Sequence, residues 1–410
     1  MGVQDPSAAG APRQLFFHGP EQRLALARRQ FFEEGVRPTG IVGEAVIQSW
    51  MRCLAARHDP SWRPGFQPVT PSRAHAALGR SRELLDAARD DLNTLEASLA
   101  GTDCRAILID RDGVVIHATQ VTPQLDQPIL RTARVGVDLA ESLVGTTAPG
   151  VVAKSGQAVT VMGAEHFYES LAAVECAAAP IRDAQGQLAG VLDLSVEGRH
   201  FGFHAASMVG LFATRIENRL LQMQSREHLL LRFQADPGLL GTPLEALAGI
   251  GSDGRVCWLN GMASRLVGAL PDGADSAEWM FGLSLDRLLA LTRRPPPSLG
   301  RLPSGLGVWV QAQLQAPDGV DFNHALAVSP PAGDTHAAES EPAPASAPER
   351  PATLEGHSLQ LIESTLAACG GNISRAARQL GVSRGLLYRR LRDEGGTAQL
   401  FRGGTGKPRG

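Results

Sequence analysis

Lysine is almost missing from this chain: only Lys154 and Lys407 occur among its 410 residues, and nearly all positive charge is arginine. A phosphate-cradling GxxxxGK[ST] loop therefore has one candidate, Lys154-Ser155. There the two required glycine positions are Ala148 and Ala153. The glycines let backbone N–H groups wrap the phosphates, so their loss argues against an ATPase of that type. Cysteine is also scarce, with five residues at 53, 104, 176, 257 and 369 and no CxxC pair. This spacing disfavours a zinc knuckle, a redox dithiol or a secreted disulfide framework and suits a reducing cytoplasm. No run reaches 18 apolar residues, and Met1-Gly2-Val3-Gln4-Asp5-Pro6 lacks a basic or apolar leader. The expectation is a cytoplasmic chain that neither crosses nor binds a membrane.

What is present is ordinary for globular protein, with 43% hydrophobic and 20% charged residues, and the length suggests two to four domains. The net charge of −3 hides an asymmetry: residues 355–410 hold 9 basic against 4 acidic side chains, the rest 30 against 38. A basic tail on an acidic body fits a protein whose tail alone meets nucleic acid.

The tail reads as two short helices around a turn. Asn372 is placed to cap the first, whose apolar positions Ile373, Ala376, Ala377 and Leu380 keep one-sided helical spacing. Gly381 ends it, and Ser383 caps a second helix entered through a Val382–Leu387 staple. Together they predict a helix-turn-helix, with Arg384 in the first turn of the recognition helix, where a planar guanidinium can meet guanine. Gly385, Tyr388, Arg389 and Arg392 fall on the outward arc. The stretch GGNISRAARQLGVSRGLLYRRL resembles the Fis-type DNA-binding domain. The resemblance makes Asn372, Ser374, Arg375, Ser383, Arg384, Gly385, Tyr388, Arg389, Arg390 and Arg392 the DNA-contact candidates. It also assigns Leu359, Ile362 and Leu366 to a preceding helix that contributes to a dimer.

At the other end, Glu21–Glu34 and Gly43–Arg57 read as helices, with Ile47, Trp50 and Leu54 along one face of the second. Ser49-Trp50-Met51-Arg52-Cys53 with Asp59-Pro60 resembles the lead-in of regulators of the acetoin-catabolism activator family. On their own, Trp50 and Cys53 read as buried structural side chains. Leu85, Ala88, Leu92, Leu95 and Leu99 then keep heptad spacing, so either two monomers meet there or the helix packs on its own sheet.

Two hairpins follow: Ala106–Asp110 and Val114–His117 around Arg111-Asp112-Gly113, then 179–195 around Asp183–Gly186. With a strand at Ala158–Met162 they predict an antiparallel sheet with helices on one side. The motifs Glu141…Gly145-Thr146-Thr147, GAEHF (163–167), CAAAPI (176–181) and GVLDLS (190–195) resemble a GAF sensor domain of the acetoin-regulator type. That family implies a small-molecule pocket between sheet and long loop. Thr146, Glu165, His166 and Cys176 are its candidate wall, against the alternative that they cap, hydrogen-bond or pack. His200 and His204 have i, i+4 spacing that suits a metal, but without further ligands they read as a helix start. Some free-standing GAF domains reduce methionine sulfoxide with cysteines, yet no cysteine here has a partner near in sequence.

From Phe203 to Phe233 the apolar stripe Val209, Phe212, Ile216, Leu220, Met223, Leu230, Phe233 predicts one long helix. A third hairpin, 247–260, leads into a helix at Gly261–Val267 and resembles the opening of a PAS domain. The stretches Trp279–Gly282 and Val308–Val310 depart from that pattern. Residues 329–353, rich in Pro, Ala and Glu, predict a disordered linker.

The fold class expected is α+β multidomain: a GAF antiparallel sheet with helices, a degenerate PAS-like α/β module and a C-terminal all-α helix-turn-helix. The expected segments are a helical lead-in at 1–78, the GAF domain with signalling helix at 79–233 and the PAS-like module at 236–328. A linker at 329–353, the DNA-binding domain at 354–395 and a tail at 396–410 complete the chain. The expected function is a regulator, not an enzyme, that senses an effector and binds a two-fold DNA site. Its expected partners are double-stranded DNA, a small-molecule effector, a second copy of itself and RNA polymerase, with no metal or other cofactor. The competing class is an architectural or accessory DNA-binding protein that ignores small molecules.

Overall fold

The computed structural model describes residues 19–120, 134–225, 227–268, 271, 273, 275–293 and 297–314, with single positions at 365, 376, 377 and 380. Two compact units divide it, Met1–Leu220 and Leu221–Gly410.

The first unit opens with α1 (Pro20–Phe32), α2 (Glu44–Ala55), α3 (Pro71–Arg80) and α4 (Arg82–Leu99). Strands β1 (Arg105–Asp110) and β2 (Val115–Ala118) form the first predicted hairpin. Its turn closes through Gly113 N–H to Asp110 O at 3.1 Å. Gly113 has φ 90°, and a Cβ there would lie 2.9 Å from the backbone nitrogen of Ala140, so both conformation and space require glycine. Short helices α5 (Glu141–Val144) and α6 (Ala148–Ser155) precede β3 (Val159–Met162), β4 (Val174–Arg182), β5 (Leu188–Glu197) and α7 (Ala205–Gln224).

The sheet order is β2-β1-β5-β4-β3, antiparallel throughout. Registers Val161↔Cys176, Cys176↔Ser195, Ala178↔Asp193 and Ile107↔Asp193 put these side chains on one face. That face packs on α1, α2 and α6 through Trp50, Val151, Val152 and Phe167. The expectation of helices on one side is corrected, because α4 covers the other face: the space beside Gly190, where a Cβ would sit, is taken by Leu84 at 2.7 Å. Apolar residues at both parities of β5, such as Val191 and Leu192, are buried, which a sheet open to water on one face does not need.

Of the α4 seam, Ala88, Leu92, Leu95 and Leu99 are buried and Leu85 is half-buried, with Leu84 taking its place. The seam packs on its own sheet. Arg215 to Asp91 and Arg219 to Asp90, each at 2.6 Å, hold α7 beside it. His204 Nδ1 accepts from Ser207 N–H at 3.2 Å and so caps the start of α7.

The second unit contains β6 (Leu229–Gln234), β7 (Ala246–Ile250), β8 (Val256–Leu259), α8 (Gly261–Val267), α9 (Ala277–Phe281), α10 (Leu285–Leu291), β9 (Ser298–Arg301) and β10 (Gly307–Leu314). The sheet order is β8-β7-β6-β10-β9. The single helix expected to Phe233 is corrected: α7 stops at Gln224, and Leu230 and Phe233 lie in the central strand β6. Paired on both sides, β6 buries Leu229, Leu231 and Phe233 on one face and Leu230 on the other. Asn260 organises the predicted hairpin and helix, its Oδ1 accepting from Leu247 N–H at 3.0 Å and from Ala263 N–H at 2.8 Å. Trp279 to Phe281 and Val308 to Val310, which fitted no pattern in sequence, belong to α9 and β10. The proposed linker and tail lie outside the described residues.

Candidate functional site in the first unit

On α2 the buried face consists of Val46, Ile47, Ser49, Trp50 and Cys53. Leu54, expected on that face, is 42% exposed, because Cys53 rather than Leu54 continues the stripe. Trp50 and Cys53 are structural, as their residue types suggested. The Trp50 indole donates to Glu165 O at 2.7 Å, and its ring lies 5.1 Å from Phe31 and 5.0 Å from Phe32. Arg28 of α1 donates to three carbonyls of the same loop, His166 O and Phe167 O at 2.7 Å and Ala164 O at 3.2 Å. The GAEHF loop is thereby clamped by the two lead-in helices, and Glu169 N–H reaches Pro60 O at 2.9 Å.

Thr146 sits in a polar lock between α2 and the segment after α5. Its Oγ1 is 2.8 Å from Ser49 Oγ, and Ser49 donates to Glu141 Oε2 at 2.6 Å. Arg52 completes the lock with a bidentate grip on Glu141, Nε to Oε1 at 2.6 Å and Nη2 to Oε2 at 2.7 Å. A planar fork on a carboxylate is the strongest common side-chain pairing, and here it compensates the burial of Glu141. Gly145 makes the corner between α5 and Thr146 with φ 67°, and a Cβ there would press on Tyr168 at 2.9 Å.

His166 and Cys176 form a second cluster with two residues not singled out from sequence, Asp193 and Ser195. His166 Nδ1 is 2.9 Å from Gly163 O, so it carries the hydrogen and leaves Nε2 as an acceptor 3.7 Å from Cys176 Sγ. Complete burial pushes the imidazole pKa down to about 4, so the ring is neutral. Burial, then the Asp193 charge, drives the Cys176 thiol well above its ordinary range, and it stays protonated. Ser195 Oγ lies 3.2 Å from Cys176 Sγ and 2.5 Å from Asp193 Oδ2. Asp193, 1% exposed, is raised to about 7 by burial, and its Oδ1 has no hydrogen-bond partner among the described residues.

Glu165 stands apart from both clusters. Its Oε2 accepts from Met162 N–H at 2.8 Å, burial raises its pKa, and it lines a surface groove with Pro20, Glu21, Ile41 and Ala172. The four candidate wall residues therefore fall in three places, with only His166 and Cys176 in contact. The missed pair had a signal, since Asp193 and Ser195 alternate with apolar residues in VLDLSV. With helices expected on one side only, that alternation reads as a solvated face. Lys154 lies in α6, whose Val151 and Val152 enter the core, so its surroundings are helix and not a phosphate loop.

Of the C-terminal candidates, Asn372, Ser374, Arg375, Ser383, Arg384, Gly385, Tyr388, Arg389, Arg390 and Arg392 lie outside the described residues, as do Leu359, Ile362 and Leu366. Ala376, Ala377 and Leu380 are described and buried, and Leu380 N–H donates to Ala376 O at 2.8 Å, one helical turn back.

Residues 358–393 match the family model for bacterial regulatory proteins of the Fis family, and residues 21–209 match the MimR N-terminal domain. The chain is 29% identical over 281 residues to the acetoin catabolism regulatory protein of Cupriavidus necator, covering 62% of this chain and 42% of that one. It is 29% identical over 209 residues to the acetoin dehydrogenase operon transcriptional activator AcoR of Bacillus subtilis, covering 50% and 34%. The propane 2-monooxygenase operon transcriptional activator MimR of Mycolicibacterium goodii is 26% identical over 295 residues, covering 70% and 46%. The chain thus spans less than half the length of each of these relatives. It carries a MimR-type N-terminal sensor domain and a Fis-type helix-turn-helix.

Proposed function

We propose that the chain is a cytoplasmic transcription regulator in which a small-molecule effector acts on the first unit and the C-terminal helix-turn-helix, as a homodimer, grips a two-fold DNA site. The observation that carries this reading is the presence in one chain of both matches, residues 21–209 and 358–393. The relatives are named for operons of acetoin and propane oxidation, which supports a small metabolite as effector. No GxxxxGK[ST] loop occurs in the sequence, and this supports regulation without an ATP-driven step on the sigma-N polymerase. Contact with RNA polymerase would then be direct or through exclusion from the promoter.

DNA footprinting with the purified full chain tests the reading, with and without a metabolite panel. Protection of a two-fold site, altered by one metabolite, is the expected result. Protection that no metabolite changes would favour an architectural protein. No protection at any promoter would overturn the regulator.

A further inference from the structure

We infer that Asp193, Ser195, Cys176 and His166 form the floor of a binding site for one small, uncharged molecule bearing a hydroxyl group, whose O–H donates to Asp193 Oδ1. This rests on the sensing function proposed above and names the class of molecule sensed.

The four side chains come from two neighbouring strands and the clamped loop, and all face the side of the sheet that packs on α1, α2 and α6. Three satisfy one another: the His166 ring is anchored on Gly163 O, Cys176 Sγ meets His166 and Ser195, and Ser195 meets Asp193. The series ends on Asp193 Oδ1, an acceptor inside the core with no partner among the described residues. A buried oxygen left unpaired is costly by roughly 1–3 kcal/mol, so such an atom is a place where an incoming donor gains a full hydrogen bond. Ser195 and Cys176 lie beside it to take or give a second hydrogen bond.

Charge selects against both kinds of ion. An anion would enter beside the Asp193 carboxyl with no cationic side chain bonded to the cluster. A cation would meet the positive field of Arg28, which acts on His166 and whose hydrogen bonds go to neutral carbonyls. Size is limited too, because the cross-strand neighbours Val161, Ala178 and Ile107 are buried and apolar. A molecule of a few heavy atoms with one or two hydroxyl or carbonyl oxygens satisfies all three conditions.

Three probes share a three-carbon skeleton with a 2-hydroxyl group and differ in charge: 1,2-propanediol, lactate and 1-amino-2-propanol. Each is titrated at pH 7.5 into the full chain, with melting temperature as the readout. The expected result is a saturable rise with 1,2-propanediol alone. Asp193→Leu, which fills the volume without an acceptor, should abolish it, and Asp193→Asn and Ser195→Ala should weaken binding by roughly tenfold, the scale of one lost hydrogen bond. Should Asp193→Leu fail to fold, the other two variants decide. A saturable shift with lactate or 1-amino-2-propanol would overturn the uncharged class while leaving sensing intact. Equal 1,2-propanediol binding in wild type and variants would overturn the site. No shift with any probe would also overturn the proposal, and sensing itself is judged separately by the metabolite-dependent footprint.

Discussion

Arg52 and Glu141, 89 residues apart in sequence, are joined by two parallel hydrogen bonds of 2.6 and 2.7 Å, and the carboxylate they share is buried. One residue lies in the lead-in helix and the other opens the segment that ends in Thr146. The two motif stretches are thus one structural lock, completed by Ser49.

The lock should be cooperative. Arg52→Ala leaves a buried carboxylate with a serine for support, and denaturant unfolding should show a loss of about 1–2 kcal/mol. That is below the roughly 3–5 of a fully buried pair, because Arg52 is 42% exposed. Arg52→Ala with Glu141→Gln should cost less than the two singles added together. Strict additivity would mean the pair is not coupled.

Asp193 and His166 should hide each other's pH dependence. Asp193 is raised from 3.8 to about 7, so it contributes stability that is full below pH 3.8 and lost as pH rises to 7. His166 is lowered from 6.5 to about 4, so its contribution is full above pH 6.5 and lost as pH falls to 4. Between pH 4 and 6.5 the folded pair holds one proton on Asp193 and the unfolded pair holds one on the imidazole. The net proton uptake of this pair on folding is then near zero and its contribution flat. Asp193→Asn should expose the His166 slope, a fall of about 1.4 kcal/mol per pH unit toward acid. A variant whose pH profile over this window matches the wild type would show that the two groups do not exchange the proton in this way.

Purified protein should show no saturable ATP hydrolysis, and Lys154→Ala should leave DNA protection unchanged, since Lys154 lies in α6. Turnover that depends on Lys154, measured by phosphate release, would contradict the reading of the chain as lacking an ATP-driven step.

Two arginines of the tail should behave differently in the proposed interface. Arg384→Ala should cost about 1–3 kcal/mol at the specific site and relax one base position. Arg390→Ala should weaken all sequences alike and reduce the salt slope by roughly one phosphate contact per subunit. Binding titrations against operator and scrambled duplexes at several salt concentrations separate the two. Equal losses on both duplexes for Arg384→Ala would refute the proposed register.

What the sequence determined by itself was whatever depends on neighbours along the chain. The hairpins at Gly113 and Gly254, the Asn260 cap leading into Gly261–Val267, and the helices α1 and α2 are local, because turn chemistry and helical period act over a few residues. Tertiary structure decided the rest. Leu230 and Phe233 continue a helical stripe on paper, yet pairing with β7 and β10 on both sides makes their segment the centre of a sheet. Asp193 and Ser195 look solvated until α1, α2 and α6 close over them. Glu141 finds Arg52, and Cys176 finds His166, only when distant segments pack together. Backbone preference is local, whereas the burial and pairing of a polar side chain depend on what the rest of the chain brings against it, and no spacing along the sequence records that.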